Sequence, residues 1–359
     1  MKSNSDANAP FPAPTPPLLP AAVPADLTAA LEDLFVRGTP PNTLRAYARD
    51  LAYISAWKQA AFAAPLAWPE PENIALRFVL DHARDLTTVP TDDPARKVAE
   101  TLNAAGLRRG LKAPAPATLD RRIASWRAFH RMRNLANPFE APLVRAARQK
   151  ARRAVRHRPA KKSENPVTRV VLEDLLATCE QSFRGVRDRA LLTLAWASGG
   201  RRRSELSELM REDIDLSEMN DRGLIWLRLV ETKTTAVAET PKLVLKGRAA
   251  KALAIWVREA GIDDGPLFRA ISKSDRVLPR RLSPDGVRHV VKSRLIAAGY
   301  PPEFASPHGL RAGFLTQAAL DGAPIQAAMR LSLHRSVKQA MAYYDDVDIA
   351  ENPATDLLG

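Results

Sequence analysis

The stretch SPHGLRAGF, residues 306–314, combines a predicted helix start with two side chains of types that can bind phosphate. Ser306 is suited to a helix N-cap, and Pro307 to the first helical position, where its missing N–H has no intrahelical partner. His308 and Arg311 then lie three residues apart on one face. A helix N-terminus with both side chains is a ready phosphate site. A capped helix with an incidental histidine and arginine explains the stretch alone equally well.

A second candidate lies upstream in GGRRRSELSEL, residues 199–209. Gly199 and Gly200 suit the end of a helix, since glycine adopts the left-handed conformation at little cost. Three arginines follow, and another helix is predicted from Ser204. Arginine is suited to clamping phosphate because its charged, planar fork donates two parallel hydrogen bonds. Arginines near a helix start are also common as surface decoration, and that alternative stays open here.

Downstream, LSLHRSVKQAMAYYDDVD, residues 331–348, contains a histidine followed by paired tyrosines. Ser336 is a candidate N-cap for a short helix. The stripe predicted to face the core comprises Val337, Ala340, Met341, Tyr344 and Val347. Tyr343 falls about 100° away from that stripe, so the two tyrosines cannot share one role. Tyr343 is therefore the candidate for chemistry, with Tyr344 in the core.

The remaining C-terminal sequence predicts helices around one small β element. Residues 167–181, 186–200 and 249–261 have helical apolar spacing. Leu224 to Val230 and Leu243 to Leu245 are rich in leucine and β-branched residues, which favours two strands joined by a polar turn. Cys179 has no second sulfur nearby for a disulfide or metal site, and is predicted to be a packing residue.

The first part of the chain predicts a small all-helical domain behind a disordered tail. Residues 8–24 are rich in proline and alanine, which is typical of an extended tail. An Asn-Thr helix start precedes the first amphipathic segment. The apolar positions with helical spacing are Leu44, Tyr47, Leu51 and Ile54, then Leu119, Ile123, Trp126 and Phe129.

Positive charge dominates the composition. The formal net charge is +14 and the isoelectric point is near 10.2, which favours a polyanionic partner, with nucleic acid ahead of an acidic membrane. Residues 145–162 crowd basic side chains without an acid, which indicates either a phosphate-tracking linker or a solvated face. No apolar run approaches the roughly 18 residues of a membrane span, and no signal peptide begins the chain, so a cytoplasmic location is predicted.

Taken in order, GRRRSEL, TKT, HGLR and LHRS, with a tyrosine nine residues after the last histidine, resemble the tyrosine recombinase, or phage integrase, family. The fold implied is mainly α, with a helical core-binding domain and a mostly α catalytic domain that contains a small antiparallel sheet. The predicted organisation is a tail (1–24), a helical DNA-binding domain (25–144), a basic linker (145–166), a catalytic domain (167–350) and a C-terminal tail (351–359).

The resemblance also implies which residues act. The implied catalytic residues are Arg202, Lys233, His308, Arg311, His334 and Tyr343, with Glu205 as a supporting acid. Arg202 is selected over its neighbours because the family arginine stands one residue before xSEL, and Lys233 fits the turn between the strands better than Lys242. Two motifs depart from the family: GGRR replaces the usual TGLR, and Leu333 stands where glycine usually precedes the histidine.

The implied chemistry is site-specific recombination by transesterification, in which Tyr343 forms a 3′-phosphotyrosine and frees a 5′-hydroxyl. The covalent bond stores the phosphodiester energy, so neither ATP nor a metal or other cofactor is implied; no GxxxxGK loop or Cys/His ligand set occurs. The implied partners are double-stranded DNA, a homotetramer on two sites, and accessory DNA-bending or directionality factors. A site-specific recombinase is favoured, either an integrase of a mobile element or phage or a chromosome-dimer resolving relative. The alternatives are an inactive repressor or architectural protein of the same fold, and a type IB topoisomerase.

Overall fold

The computed structural model describes residues 24–154, 163–229, 242–334 and 336–344. Internal contacts divide the chain into two compact units, Met1–Pro159 and Ala160–Gly359. Within the described residues, no helix is both long enough and apolar enough to span a membrane.

The N-terminal unit is helical, as the sequence predicts. Its elements are α1 (Ala25–Gly38), α2 (Pro41–Phe62), α3 (Glu72–His82), α4 (Pro94–Ala104), α5 (Pro116–Met132), a 3₁₀ turn (Pro138–Glu140) and α6 (Pro142–Ala154). The start of α2 differs from the prediction: it begins at Pro41 without a side-chain cap, because the proline ring already fixes a helical φ. Edge-to-face contacts among Trp57, Phe78, Trp126 and Phe139 fill the core.

Helix α6 occupies the first ten residues of the segment predicted to be a basic linker. Val144 and Ala151 are seven residues apart on its inner face and belong to the core of the N-terminal unit. Arg148 and Arg152 both contact Asp120 of α5, at 3.2 and 2.7 Å, so an acid does face part of this basic run. The many basic residues led to the prediction of a linker where residues up to 154 form an amphipathic helix. Residues 155–162 lie outside the described residues.

The C-terminal unit combines helices with two small antiparallel sheets. Its elements are α7 (Arg169–Ala177), α8 (Phe183–Ala197), α9 (Arg203–Glu208), a 3₁₀ turn (Arg211–Asp213), β1 (Ile214–Asp215), α10 (Met219–Arg222), β2 (Leu224–Arg228), β3 (Lys242–Lys246), α11 (Gly247–Glu259), β4 (Arg269–Ile271), β5 (Val277–Arg281), α12 (Pro284–Ala297), α13 (Pro307–Leu320), α14 (Ile325–Ser332) and α15 (Val337–Tyr344). The mainly α fold class is thus confirmed.

Strand order in the larger sheet is β1-β2-β3, with Trp226 opposite Val244. The prediction of a single β element was wrong, because β4 and β5 form a separate hairpin. Arginines and a proline fill β5, and its burial is slight, so its sequence lacks the apolar alternation that marks a strand.

A continuous apolar core lies under the helices of this unit. Trp256 of α11 is fully buried and donates from Nε1 to the Leu267 carbonyl at 2.8 Å. Cys179 is also buried, 4% exposed, and burial raises the pKa of its thiol, as suits a packing residue.

Two glycines end the α8 segment and bring the GGRRRSELSEL motif against α13. Gly199 and Gly200 have φ of +92° and +73°, in the left-handed region. A Cβ on Gly200 would lie 2.1 Å from Cα of Arg311. The predicted helix end is therefore also the point of closest approach between the two arginine motifs.

Candidate active site

Helix α13 presents the HGLR motif as predicted. Ser306 is its N-cap, and its Oγ accepts from the His308 backbone N–H at 3.2 Å. Gly313 lets α13 approach the preceding chain, because a Cβ there would lie 1.8 Å from the Val167 carbonyl oxygen. This close packing fixes the rotation of α13, and the Arg311 side chain is buried beneath the site, at 5% exposure.

The GRRRSEL motif forms the start of α9. Arg202 is the N-cap, and Glu205 closes a capping box by accepting from the Arg202 backbone N–H at 3.1 Å. The other carboxylate oxygen of Glu205 accepts from Arg202 Nη1 at 2.6 Å. Arg202 keeps 39% side-chain exposure, so Glu205 braces a guanidinium that solvent can still reach.

His334 lies within reach of the buried Arg311. Arg311 Nε and Nη2 are 3.3 Å from the two ring nitrogens, Nε2 and Nδ1 respectively. The Ser332 hydroxyl lies 2.8 Å from His334 Nδ1. A neutral ring can accept only one of the two Arg311 contacts. With its proton on Nδ1 the ring donates to Ser332 and accepts from Arg311 Nε, whereas with its proton on Nε2 it accepts at Nδ1 from Ser332 and from Arg311 Nη2.

Electrostatics keep this ring neutral. Burial, followed by the positive charges of Arg311 and Arg202, lowers the pKa of His334 to about 4. Burial likewise lowers the pKa of Arg311 to about 10, with Arg202 acting in the same direction, yet the guanidinium stays charged at neutral pH. The site therefore holds fixed positive charge beside a neutral hydrogen-bonding imidazole.

The two tyrosine hydroxyls point to different partners. The Tyr343 hydroxyl lies 3.2 Å from His308 Nε2, whereas the Tyr344 hydroxyl donates to the Ala323 carbonyl at 3.0 Å. Burial raises the pKa of Tyr343, and Arg311 partly offsets this, so the hydroxyl is protonated at neutral pH. A base is needed before it can act as a nucleophile.

The predicted core stripe of α15 was only partly correct. Ala340 is fully buried, but Val337 and Met341 are 56% and 37% exposed. Tyr343 and Tyr344 are both half-buried. An eight-residue helix at the edge of the unit packs through a narrow contact centred on Ala340, so helical spacing alone overestimates its buried face. Val347 lies outside the described residues.

A cavity of about 480 Å³ joins the two arginine motifs. Its walls include Arg202, Arg203, Arg288, His308 and Arg311. His334 and Tyr343 reach it through their contacts with Arg311 and His308. Five of the six predicted catalytic residues are thus brought together, with Glu205 behind Arg202; Lys233, the sixth, lies outside the described residues.

Sequence reasoning missed three neighbours of this site. Ser332 contacts the His334 ring, and Arg288 of α12 lines the cavity. Arg201, which precedes the predicted catalytic Arg202, is 1% exposed and lies beside Glu205. A basic residue on α12 carries no local signal, but Arg201 stands where the family motif has an apolar residue, and that position predicts burial.

Comparison with known proteins identifies the class. The phage integrase family matches residues 166–349, which is more than half of the chain. The chain belongs to the phage integrase family of tyrosine recombinases. Members of this family are enzymes that cleave and rejoin DNA in site-specific recombination, and the family assignment from the four motifs is confirmed.

Individual relatives extend this likeness beyond residues 166–349. This tyrosine recombinase is 28% identical to the integrase/recombinase xerD homolog of Selenomonas ruminantium, over 87% of this chain and 84% of that protein. It is 27% identical to tyrosine recombinase XerC of Rhodospirillum centenum, over 86% and 79% respectively. The Tn1549 transposon integrase, solved with circular intermediate DNA, shares the fold with a TM-score of 0.54 at 14% identity, over 91% of this chain and 97% of that one.

Proposed function

We propose that this recombinase cleaves and rejoins double-stranded DNA at specific sites through a 3′-phosphotyrosine on Tyr343, as the integrase of a mobile element or phage. The observation that carries the proposal is the Tyr343 hydroxyl, 3.2 Å from His308 Nε2 beside a cavity lined by Arg202 and Arg311. Nucleophile, base and phosphate-binding cations thus meet at one point.

In the cleavage step, Tyr343 Oη attacks the scissile phosphorus. Its proton passes to His308 Nε2, a bond forms between Oη and phosphorus, and the bond from phosphorus to the 5′-oxygen breaks. The proposed donor that protonates the leaving oxygen is Lys233. The products are a 3′-phosphotyrosine and a free 5′-hydroxyl, and attack by a second 5′-hydroxyl reverses the step and rejoins the DNA.

The two arginines and His334 stabilise the charge that builds on the phosphate. Arg202, braced by Glu205, and Arg311, buried among polar partners, are positioned to hold the non-bridging oxygens. His334 is the proposed hydrogen-bond donor to the same phosphate through the tautomer that carries its proton on Nε2, and its pKa of about 4 keeps the ring neutral. A buried, pre-oriented cation is more effective than an exposed one, since the lower dielectric strengthens its attraction for the phosphate.

Recombination of two DNA sites needs four cleavages, which supports a homotetramer assembled on two duplexes. The proposed location of the reaction is the cytoplasm. The net charge of +14 supplies the non-specific attraction for phosphates. The names of the relatives, an integrase/recombinase and a tyrosine recombinase, favour recombination over relaxation or repression.

The test uses a suicide DNA substrate with a nick close to the scissile phosphate, built from the DNA that flanks the gene. The wild-type chain should form a covalent protein–DNA adduct, because the released 5′ fragment diffuses away and rejoining stops. Tyr343→Phe should form none, whereas Tyr344→Phe, the matched control, should keep it. If Tyr343→Phe formed the adduct and Tyr344→Phe did not, the nucleophile would be Tyr344 and the proposal would be wrong.

The rival functions give different results in the same assay. DNA binding at the flanking sites without any adduct indicates a repressor or architectural protein of this fold. Relaxation of supercoiled plasmid that lacks those sites indicates a type IB topoisomerase. Strand exchange between two matched sites in the wild type, absent in Tyr343→Phe, is the result expected for a recombinase.

A further inference from the structure

Arg201 is a buried cation that the cleavage chemistry above does not use. Its side chain is 1% exposed, among the largest fully buried side chains of the described residues. Burial, rather than any partner, dominates its pKa, which falls to about 10 and leaves it charged at neutral pH. Arg201 lies at the wall of the cavity that Arg202 and Arg311 line, but at 1% exposure its guanidinium is covered by neighbouring groups. An effect on the reaction is therefore expected to pass through those neighbours.

Its strongest contact is with the end of α14. Arg201 Nη2 donates to the Leu331 carbonyl at 2.6 Å, across 130 residues of sequence. Leu331 is the penultimate residue of α14, where the last carbonyls of a helix have no intrahelical partner and carry partial negative charge. A guanidinium donor satisfies that carbonyl and anchors the helix end.

The anchored carbonyl begins the segment that carries His334. Ser332 contacts the His334 ring, and Leu333, between them, adopts the left-handed conformation with φ of +54°. The backbone of Gly199 lies against the same place, since a Cβ there would be 2.4 Å from the Leu331 carbonyl carbon and oxygen. The missing Cβ of Gly199 thus lets the chain approach the Leu331 carbonyl, and Arg201 donates a hydrogen bond to that carbonyl.

The remaining nitrogens of the Arg201 guanidinium are incompletely paired. Arg201 Nε and Nη1 have no hydrogen-bond partner within the described part of the chain. The nearest carboxylate oxygen, on Glu205, is 3.7 Å from Nη1. The same carboxylate makes shorter contacts with Arg202. A buried charge with incomplete pairing costs free energy, and an apolar side chain of similar volume is often neutral or stabilising at such a site.

We infer that Arg201 is a positioning residue for the proposed recombinase, holding the α14 end so that Ser332 and His334 stay aligned with Arg311. The inference rests on the proposed function for its catalytic consequence, but not for the placement of His334. It explains why a charged side chain occupies a buried position that costs stability.

The test compares Arg201→Met, which keeps the length and removes the donor, with Arg201→Lys, which keeps the charge. The matched control is Arg189→Met, because Arg189 also donates to carbonyls at a helix end, those of Leu176 and Cys179, but lines a different cavity. Nitrogen chemical shifts of the His334 ring are read by NMR in the free protein and assigned against His334→Gln. Thermal unfolding of each variant is measured in parallel.

In the free protein, Arg201→Met should shift the His334 ring nitrogens while its Tm stays within a few degrees of the wild type. Arg201→Lys should shift them less, and Arg189→Met should leave them unchanged. Unchanged His334 resonances in a folded Arg201→Met would overturn the inference, whether or not any DNA is cleaved. If Arg201→Met does not fold, Arg201→Leu, which also lacks a donor, takes its place, and wild-type His334 resonances in that variant would likewise overturn the inference.

The catalytic consequence is read as the rate of covalent adduct formation at saturating suicide substrate. Arg201→Met should lower it about tenfold with DNA affinity unchanged, since small misplacement of a catalytic group is costly. In a His334→Ala background the same change should cost less than about twofold, because the residue through which Arg201 acts is gone. Equal losses in both backgrounds would overturn the inference. No adduct from the wild type would refute the proposed function and leave the NMR result to decide on Arg201.

Discussion

Protonation of His334 links the candidate site to acid stability. Its folded pKa is lowered from 6.5 to about 4, chiefly by burial and then by the surrounding arginines. A lowered pKa means that the unfolded chain binds the proton first, so stability is complete above pH 6.5 and falls as the pH decreases toward 4. His334→Gln keeps a hydrogen-bonding side chain but cannot titrate.

The size of the effect follows from the two pKa values. At pH 5 the unfolded ring is almost fully charged and the folded ring mostly neutral, which gives about 2 kcal/mol of lost stability by linkage. The ring is only half-buried, so solvent screening reduces this to about 1 kcal/mol. Above pH 7 the same linkage contributes nothing.

The assay is urea unfolding of the wild type and of His334→Gln at pH 7.5 and pH 5, monitored by a signal from the C-terminal unit. NMR titration of the His334 ring gives its pKa directly. The difference in unfolding free energy between the two proteins should move by about 1 kcal/mol in favour of His334→Gln at pH 5. A His334 pKa near 6.5, or a difference independent of pH, would refute the assignment of this ring as a neutral group held among cations.

Two further changes test the fold around the site and the charge of the N-terminal unit. Gly200→Ala should destabilise the protein by at least about 2 kcal/mol and abolish adduct formation, because its Cβ would lie 2.1 Å from Arg311 Cα at a φ of +73°. The control is Gly223→Ala, at a φ of +65° with nothing within 4 Å of its Cβ, which should cost about 1 kcal/mol in thermal unfolding. Equal costs for the two variants would contradict the close approach of Gly200 to Arg311. Replacing the exposed Arg145, Lys150 and Arg153 of α6 with glutamine should make DNA affinity depend less on salt concentration. The slope of log affinity against log salt should fall by up to about 0.9 for each phosphate that is no longer neutralised. An unchanged slope would mean that these side chains are only a solvated face.

Local sequence signals located most of the site because each acts over a few residues. The Ser306 cap and Pro307 start fix where α13 begins, and this alone sets His308 and Arg311 on one face. The xSEL motif likewise placed Arg202 beside Glu205. Such signals do not depend on the rest of the fold, which is why they could be read without it.

Features that depend on contacts distant in sequence could not be predicted in the same way. Burial of α6 requires α3 and α5, and its arginines concealed the spacing of Val144 and Ala151. Exposure of Val337 and Met341 depends on how little of α15 its neighbours cover. Among three consecutive arginines only the position of Arg201 in the family motif indicates which side chain turns inward, and its partner, the Leu331 carbonyl 130 residues away, has no local signal.

The two departures from the family motifs meet at this same point, which changes how each is interpreted. Leu333 replaces a glycine yet keeps a left-handed φ, a conformation that costs a residue with a Cβ about 1 kcal/mol. Its side chain packs against the apolar core, which offsets part of that cost. GGRR brings Gly199 against Leu331 and supplies the Arg201 donor to its carbonyl. One departure thus strains the turn before His334, and the other adds a hydrogen bond at the end of the helix that leads into that turn.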